Sequence, residues 1–283
     1  YSLIMTAVQF VSENPAAFFG LSLILHALSA VLIFQLGAGL FGVIPGILGG
    51  FLQSVAVPLL ELHRTSIPAA FSIIFITSTY LLLWRWTEGA KRVRLWLVAI
   101  FASLAPQIHL FALIPLAGTI PLLVVGLRNR GNKKEIRNAV ITFTLLFSPL
   151  LISILSVIWG MLSAIGTPQE VASSGGTGLF TRFLGENWQH IARENALKHL
   201  QDFTSAPHRN WPADIPWTLF AFGSLGVFLG RFNNNTMNAS RWALGWGVFL
   251  SACLAQMLFA VLGYKWTPRY GFIFYPSIIL LTL

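Results

Sequence analysis

Charge is what this sequence has least of. Only 10% of its 283 residues are Asp, Glu, Lys or Arg, where a soluble domain carries roughly a quarter. So few charges cannot clothe a water-soluble surface, and no stretch reads as a soluble domain of any size. Cysteine is nearly absent. The one thiol, Cys253, excludes an internal disulfide, and no Cys/His ligand spacing exists to hold a metal; a small buried residue is its ordinary role. The opening stretch has neither the basic n-region nor the small-residue cleavage site of a signal peptide. Asp, Glu, Lys and Arg are missing from the interiors of the apolar runs, which counts against an ion-coupled pump or transporter.

What is present is apolar: 55% hydrophobic residues and a mean hydropathy of +0.72. Nine apolar segments fall near 16–41, 43–60, 67–83, 95–106, 109–127, 139–164, 216–229, 242–262 and 271–283. A full span needs about 20 residues, so the fourth is short. The predicted fold is all-α, a polytopic transmembrane helical bundle forming a single transmembrane domain over 1–283. Leu3, Ile4, Val8, Phe10 and Val11 read as an interfacial or loop helix, interrupted by Glu13 and Pro15. The chain starts at Tyr1 and stops at Leu283 inside an apolar run, so a longer parent polypeptide is expected.

The net charge of +9 looks at first like a nucleic-acid signal, but its distribution argues otherwise. Counting connections by parity puts 85–94, 128–137 and 231–241 on one side, with eleven basic residues against Glu88 and Glu135. The other side holds seven basic and seven acidic residues. The positive-inside rule makes the basic side cytoplasmic, so the charge reports topology and no nucleic-acid partner is expected. Trp84, Trp86, Trp96 and Trp242 fall at cytoplasmic ends and Trp159, Trp211, Trp217 and Trp266 at or near outer ends, as an aromatic belt would. The sequons at Asn234 and Asn238 lie in a cytoplasmic loop and are chance matches. The glycines between the first two spans, with Gly42 and Gly46 at small-xxx-small spacing, imply close helix packing and a tight uncharged turn.

The longest connection, 165–215, lies on the outer side. Within it, 179–204 carries an apolar stripe (Phe180, Leu184, Trp188, Ala192, Ala196, Leu200 and Phe203) opposite charged residues, the pattern of an amphipathic helix lying on the membrane or over a cavity mouth. Three short outer stretches gather polar groups: Glu61-Leu62-His63-Arg64, Gln107-Ile108-His109, and Lys265-Trp266-Thr267-Pro268-Arg269-Tyr270. Arg and Lys at that level suit an anionic headgroup such as a lipid phosphate; taken singly, each is equally an interfacial anchor. His26 lies inside the first span, where a neutral imidazole bonded to a neighbouring helix is expected, and Gln35, Gln53 and Gln256 read the same way.

The order of these motifs resembles a known family. A span containing Leu21-Ser22-Leu23-Ile24-Leu25 is followed by Leu40-Phe41-Gly42, a helix with Pro58, and His63-Arg64-Thr65-Ser66-Ile67-Pro68. After a basic loop come Leu104-Ala105-Pro106-Gln107-Ile108-His109 and, late in the chain, Pro268-Arg269-Tyr270-Gly271-Phe272-Ile273-Phe274-Tyr275-Pro276. The pattern resembles the polytopic GT-C glycosyltransferases, specifically the bacterial protein-mannosyltransferase-like and aminoarabinose-transferase-like group. The resemblance implies an enzyme of the bacterial inner (plasma) membrane and cell envelope. It would move a hexosyl or pentosyl unit from a polyprenyl-phosphate donor to a glycan, lipid or protein acceptor on the outer face. It assigns donor-phosphate binding to Arg269, with Lys265, Arg64 or His63 assisting, and pocket positions to Tyr270, His109 and Gln107. The catalytic carboxylate, with or without a divalent cation, is expected upstream of Tyr1, so these 283 residues alone are expected to be inactive. Two other readings remain: a lipid-linked saccharide transporter or flippase, and an O-antigen ligase or polymerase-type enzyme.

The topology predicts that single cysteines placed in 85–94, 128–137 and 231–241, on a Cys253→Ser background, react with a membrane-impermeant maleimide only after permeabilisation. Labelling of any of the three in sealed cells would overturn the parity argument.

Overall fold

The computed structural model describes residues 15–55, 68–164 and 239–262, which contain helices, short connections and no strand. The helices are α1 (Pro15–Phe41), α2 (Val43–Val55), α3 (Pro68–Thr87), α4 (Leu95–Ile108), α5 (Leu113–Ala117), α6 (Ile120–Arg130), α7 (Lys133–Ala164) and α8 (Ala239–Leu262), with a 3-10 turn at Leu110–Ala112. Two stretches are long and apolar enough to cross a membrane, Phe19–Phe41 and Lys133–Ser156. Segments 216–229 and 271–283, the interfacial stretch before Ala16 and the outer-loop helix 179–204 lie outside the described residues.

α3 is the axis of the bundle. Phe71, Ile73, Ile76, Tyr80, Leu83 and Trp86 are all buried, and so are Ser72, Thr77, Ser78, Thr79 and Thr87. Burial on every side makes hydroxyls costly unless bonded. Thr77, Thr79 and Thr87 meet that cost within the helix, donating to the carbonyls of Ile73, Phe75 and Leu83 at 2.7–2.9 Å. α1, α4 and α6 pack around this axis, and α8 packs against α5 and α6.

α1 and α2 form a tight hairpin. Gly42 takes φ +106°, a conformation open to glycine without steric cost. Gly46 and Gly50 then bring the backbones together: a Cβ at Gly46 would fall 2.6 Å from the Ala38 nitrogen, and one at Gly50 3.0 Å from Phe34 Cβ. The glycine run thus divides its work, Gly42 making the turn and Gly46 with Gly50 making the contact.

One carboxylate ties the basic end together. Asn132 caps α7, its Oδ1 accepting from the Lys134 amide at 2.9 Å. Glu135, one step further, turns away from its own helix. Its Oε1 accepts from the indole Nε1 of Trp86 at 3.1 Å and from the backbone amide of Leu95 at 2.9 Å. Arg94, at the N-cap of α4, supplies no side-chain cap, so an acceptor from the neighbouring helix takes that role. Arg130 donates to the Trp86 carbonyl at 3.1 Å, Ser240 donates to Glu88, and Arg85 donates to Gln35 at 3.1 Å. The connections 85–94 and 128–137 and the start of α8 therefore meet at one end of the bundle. Trp86, expected in an aromatic belt, is instead 2% exposed, because Glu135 gives its N–H a partner in the core.

Glu135→Ala removes two charge-assisted bonds and should lower unfolding stability by about 2 kcal/mol, with Lys133→Ala near neutral. Equal melting temperatures for the two variants would show that the carboxylate is not what joins the loops.

Candidate functional site

The fifth apolar segment, expected as one span over 109–127, is broken. α4 ends at Ile108, and the chain then makes the 3-10 turn, the five-residue α5 and a turn at Gly118-Thr119 before α6 begins. Three prolines account for the interruption: Pro106 in the last turn of α4, Pro115 inside α5, and Pro121 in the first turn of α6. Each removes an amide donor. Breaks of this kind persist in apolar surroundings only where protein groups satisfy the freed carbonyls. Here the Pro115 carbonyl accepts from the Gly118 amide at 3.1 Å and the Tyr80 hydroxyl at 2.6 Å. The Leu116 carbonyl accepts from the amide and the hydroxyl of Thr119 at 2.9 and 2.6 Å.

The break is sealed by backbone contact with α8. A Cβ on Gly247 would overlap the carbonyl oxygen of Gly118, and one on Gly118 would meet Tyr80 Oη at 2.6 Å and Ser251 Cβ at 2.9 Å. Gly118, Thr119, Gly247 and Ser251 are buried. Nothing in the residues 109–127 taken alone, beyond Pro115, Gly118 and Pro121, signals the break. The apolar count is that of a continuous span.

Gln107 and His109 sit at the far end of α4. Gln107 donates to the Ser103 carbonyl at 3.1 Å and, across to α7, to the Leu146 carbonyl. This fixes their level. The 14 residues of α4 carry the chain about 21 Å from the basic end, and Leu146 lies well inside the apolar run of α7. Gln107, expected at the outer surface, is thus bonded partway along α7. His109 is half-buried, its carbonyl accepting from the Ala112 amide at 2.9 Å. The other assigned positions, His63, Arg64, Lys265, Arg269 and Tyr270, lie outside the described residues.

A second polar group lies between α1 and α2. Ser22, His26, Ser29 and Gln53 are all buried. His26 Nε2 meets the Ser54 carbonyl at 3.1 Å; a carbonyl only accepts, so the proton is on Nε2. Ser29 donates to the His26 carbonyl at 2.8 Å and accepts from Gln53 Nε2 at 3.0 Å. These bonds join the two helices, as expected for His26 and Gln53. Among the described residues no three His, Cys, Asp or Glu side chains lie together as a metal site.

No family model, no curated protein and no solved structure matches the chain.

Gly247→Ala should destabilise by about 1–3 kcal/mol, the usual cost of forcing atoms into a packed contact, whereas Gly20→Ala, with nothing within 4 Å of its added Cβ, should not. Thermal unfolding of both variants checks this, and an unshifted Gly247→Ala would mean that the α8 contact is not close.

Proposed function

We propose that this chain is a multi-pass membrane protein whose nine apolar segments lie in a bacterial plasma membrane with the basic connections cytoplasmic. We infer further that it belongs to a GT-C type glycosyltransferase, passing a sugar from a polyprenyl-phosphate donor to an acceptor on the outer face. The observation that supports the membrane setting best is α7. Only 6% of its Lys133–Ser156 stretch is buried against protein, although Val140, Ile141, Leu145 and Ile152 stand half or more exposed. Such a surface needs a lipid solvent. α3 and α8, at 20 and 24 residues, have the length to cross as well.

The chemistry is supported by the motif order of the sequence, above all by Pro268-Arg269-Tyr270 and the apolar stretch that follows. In this reading Arg269 holds the donor phosphate through paired N–H donors, which suit phosphate oxygens. Lys265, Arg64 and His63 add positive charge, while Tyr270, His109 and Gln107 line the sugar pocket.

One observation favours the second reading, a lipid-linked saccharide transporter. Discontinuous helices inside the membrane characterise transporter binding sites, and the 109–127 segment is discontinuous.

In the full-length protein, Arg269→Ala should lower sugar transfer on the order of a hundred-fold, the usual loss on removing one donor to a developing anionic charge, with membrane insertion intact. The assay is transfer from a polyprenyl-phosphate sugar in proteoliposomes. Movement of a labelled lipid-linked saccharide across the bilayer without product would decide for the transporter.

A further inference from the structure

The cations at the basic end are not spread evenly over the surface. α7 advances 100° per residue, so Lys133, Lys134 and Arg137 fall on the same side of the helix as Ile141, Leu145, Ile152, Leu155 and Trp159. All eight are exposed. Glu135 points the opposite way, into the contact with α4, where Trp86 and Leu95 hold it. The other carboxylate at this end, Glu88, accepts from Ser240. Both carboxylates are thus bonded away from the three cations, and Arg94 stands exposed next to them because Leu95 is bonded to the first turn of α7.

This stripe has the dimensions of one leaflet-spanning feature and more. Trp159 lies about 27 Å beyond Ile141 along the helix, close to the roughly 30 Å of a hydrocarbon core. Apolar side chains dominate this face from directly under the cations, with the small hydroxyls of Thr144 and Ser148 between them. An acyl chain has a wall to lie against, and its headgroup then meets three positive side chains. A zwitterionic headgroup offers them no net charge, whereas an anionic one is attracted by each.

We propose that the face of α7 headed by Lys133, Lys134 and Arg137 is a binding site for an anionic phospholipid of the cytoplasmic leaflet, of the phosphatidylglycerol kind. The inference rests on the membrane-spanning reading and is independent of the transferase chemistry.

The test is native mass spectrometry of the detergent-solubilised protein titrated with phosphatidylglycerol or with phosphatidylcholine of the same acyl chains. Phosphatidylglycerol should be held preferentially. Lys133→Gln/Lys134→Gln should weaken its retention about five-fold for each cation removed, and Lys133→Arg/Lys134→Arg should restore it. Arg137→Gln, which leaves both lysines in place, should give one step of the same loss. Equal retention of the two lipids, unchanged retention by the glutamine variants, or displacement by inorganic phosphate would each overturn the lipid site. Carbonate-resistant insertion into phosphatidylcholine vesicles is read separately. Insertion without lipid preference sinks this site alone, and failure to insert sinks the membrane-spanning reading with it.

Discussion

The constraint on which this bundle depends is that backbone polar groups have no water to turn to. An apolar chain can hide its peptide groups in helices, but each interruption frees carbonyls that cost several kcal/mol if left bare. Here the interruptions come with donors supplied from fixed positions. Pro149 cannot bond the Leu145 carbonyl, and the hydroxyl of Ser148 reaches it at 2.9 Å. Pro115 and Leu116 each accept two donors at the α5–α6 turn. The amide at the start of α4 receives the carboxylate of Glu135. At these interruptions in the described residues, side chains and amides from fixed positions supply the missing donors and acceptors.

Electrostatics follows from the same arrangement. An acid beside many cations would ordinarily pair with one of them. Glu135 faces inward instead, because an indole and a helix-terminal amide are better bonding partners for a half-buried carboxylate than a solvated lysine, whose ion pair is worth little at the surface. The consequence is that the basic end stays basic. The residue that locks the loops into place is also the one that leaves their charge available to orient the chain in a membrane.

Much of the fold was legible in the residues, though not evenly. Helix positions followed from the long apolar runs: α1, α3, α4 and α8 start and stop within a few residues of the segments expected for them, while α7 ends where expected and begins six residues earlier, in the basic connection. That 85–94 and 128–137 lie at the same end was legible because charge and parity act over whole loops; most of 231–241 lies outside the described residues. Glu135 was not recognised as a link between helices, since Asn132-Lys133-Lys134-Glu135 reads as a local cap and its partners are 40 and 49 residues away. Trp86 read as a belt residue for the same reason: an indole at a helix end is at home at an interface or in a core, and only its partner decides. The break in 109–127 was hidden because hydropathy counts side chains, while the break is a property of prolines and of a glycine contact with α8. Of the assigned site, Gln107 and His109 fall in the described part of the fold, and their level along the bundle depends on the length of α4, which hydropathy leaves loose.

That level matters for how topology is inferred. In the membrane-spanning reading proposed above, α4 and the broken return through α5 and α6, which begin and end at the basic end, contribute an even number of crossings whether they traverse the full thickness or turn back partway. Charge bias therefore assigns the same sidedness to 85–94 and 128–137 in either case. In that reading the bond from Gln107 to Leu146 favours a turn partway. It stops α4 beside the interior of α7, while α7 itself continues to Ala164. A pair of helices that turns at that depth brings a polar tip to the middle of an apolar bundle. Tyr80, Thr119 and the Gly118–Gly247 contact are what make such a turn stable there, which is why the polar groups of this region lie on the helices around the break.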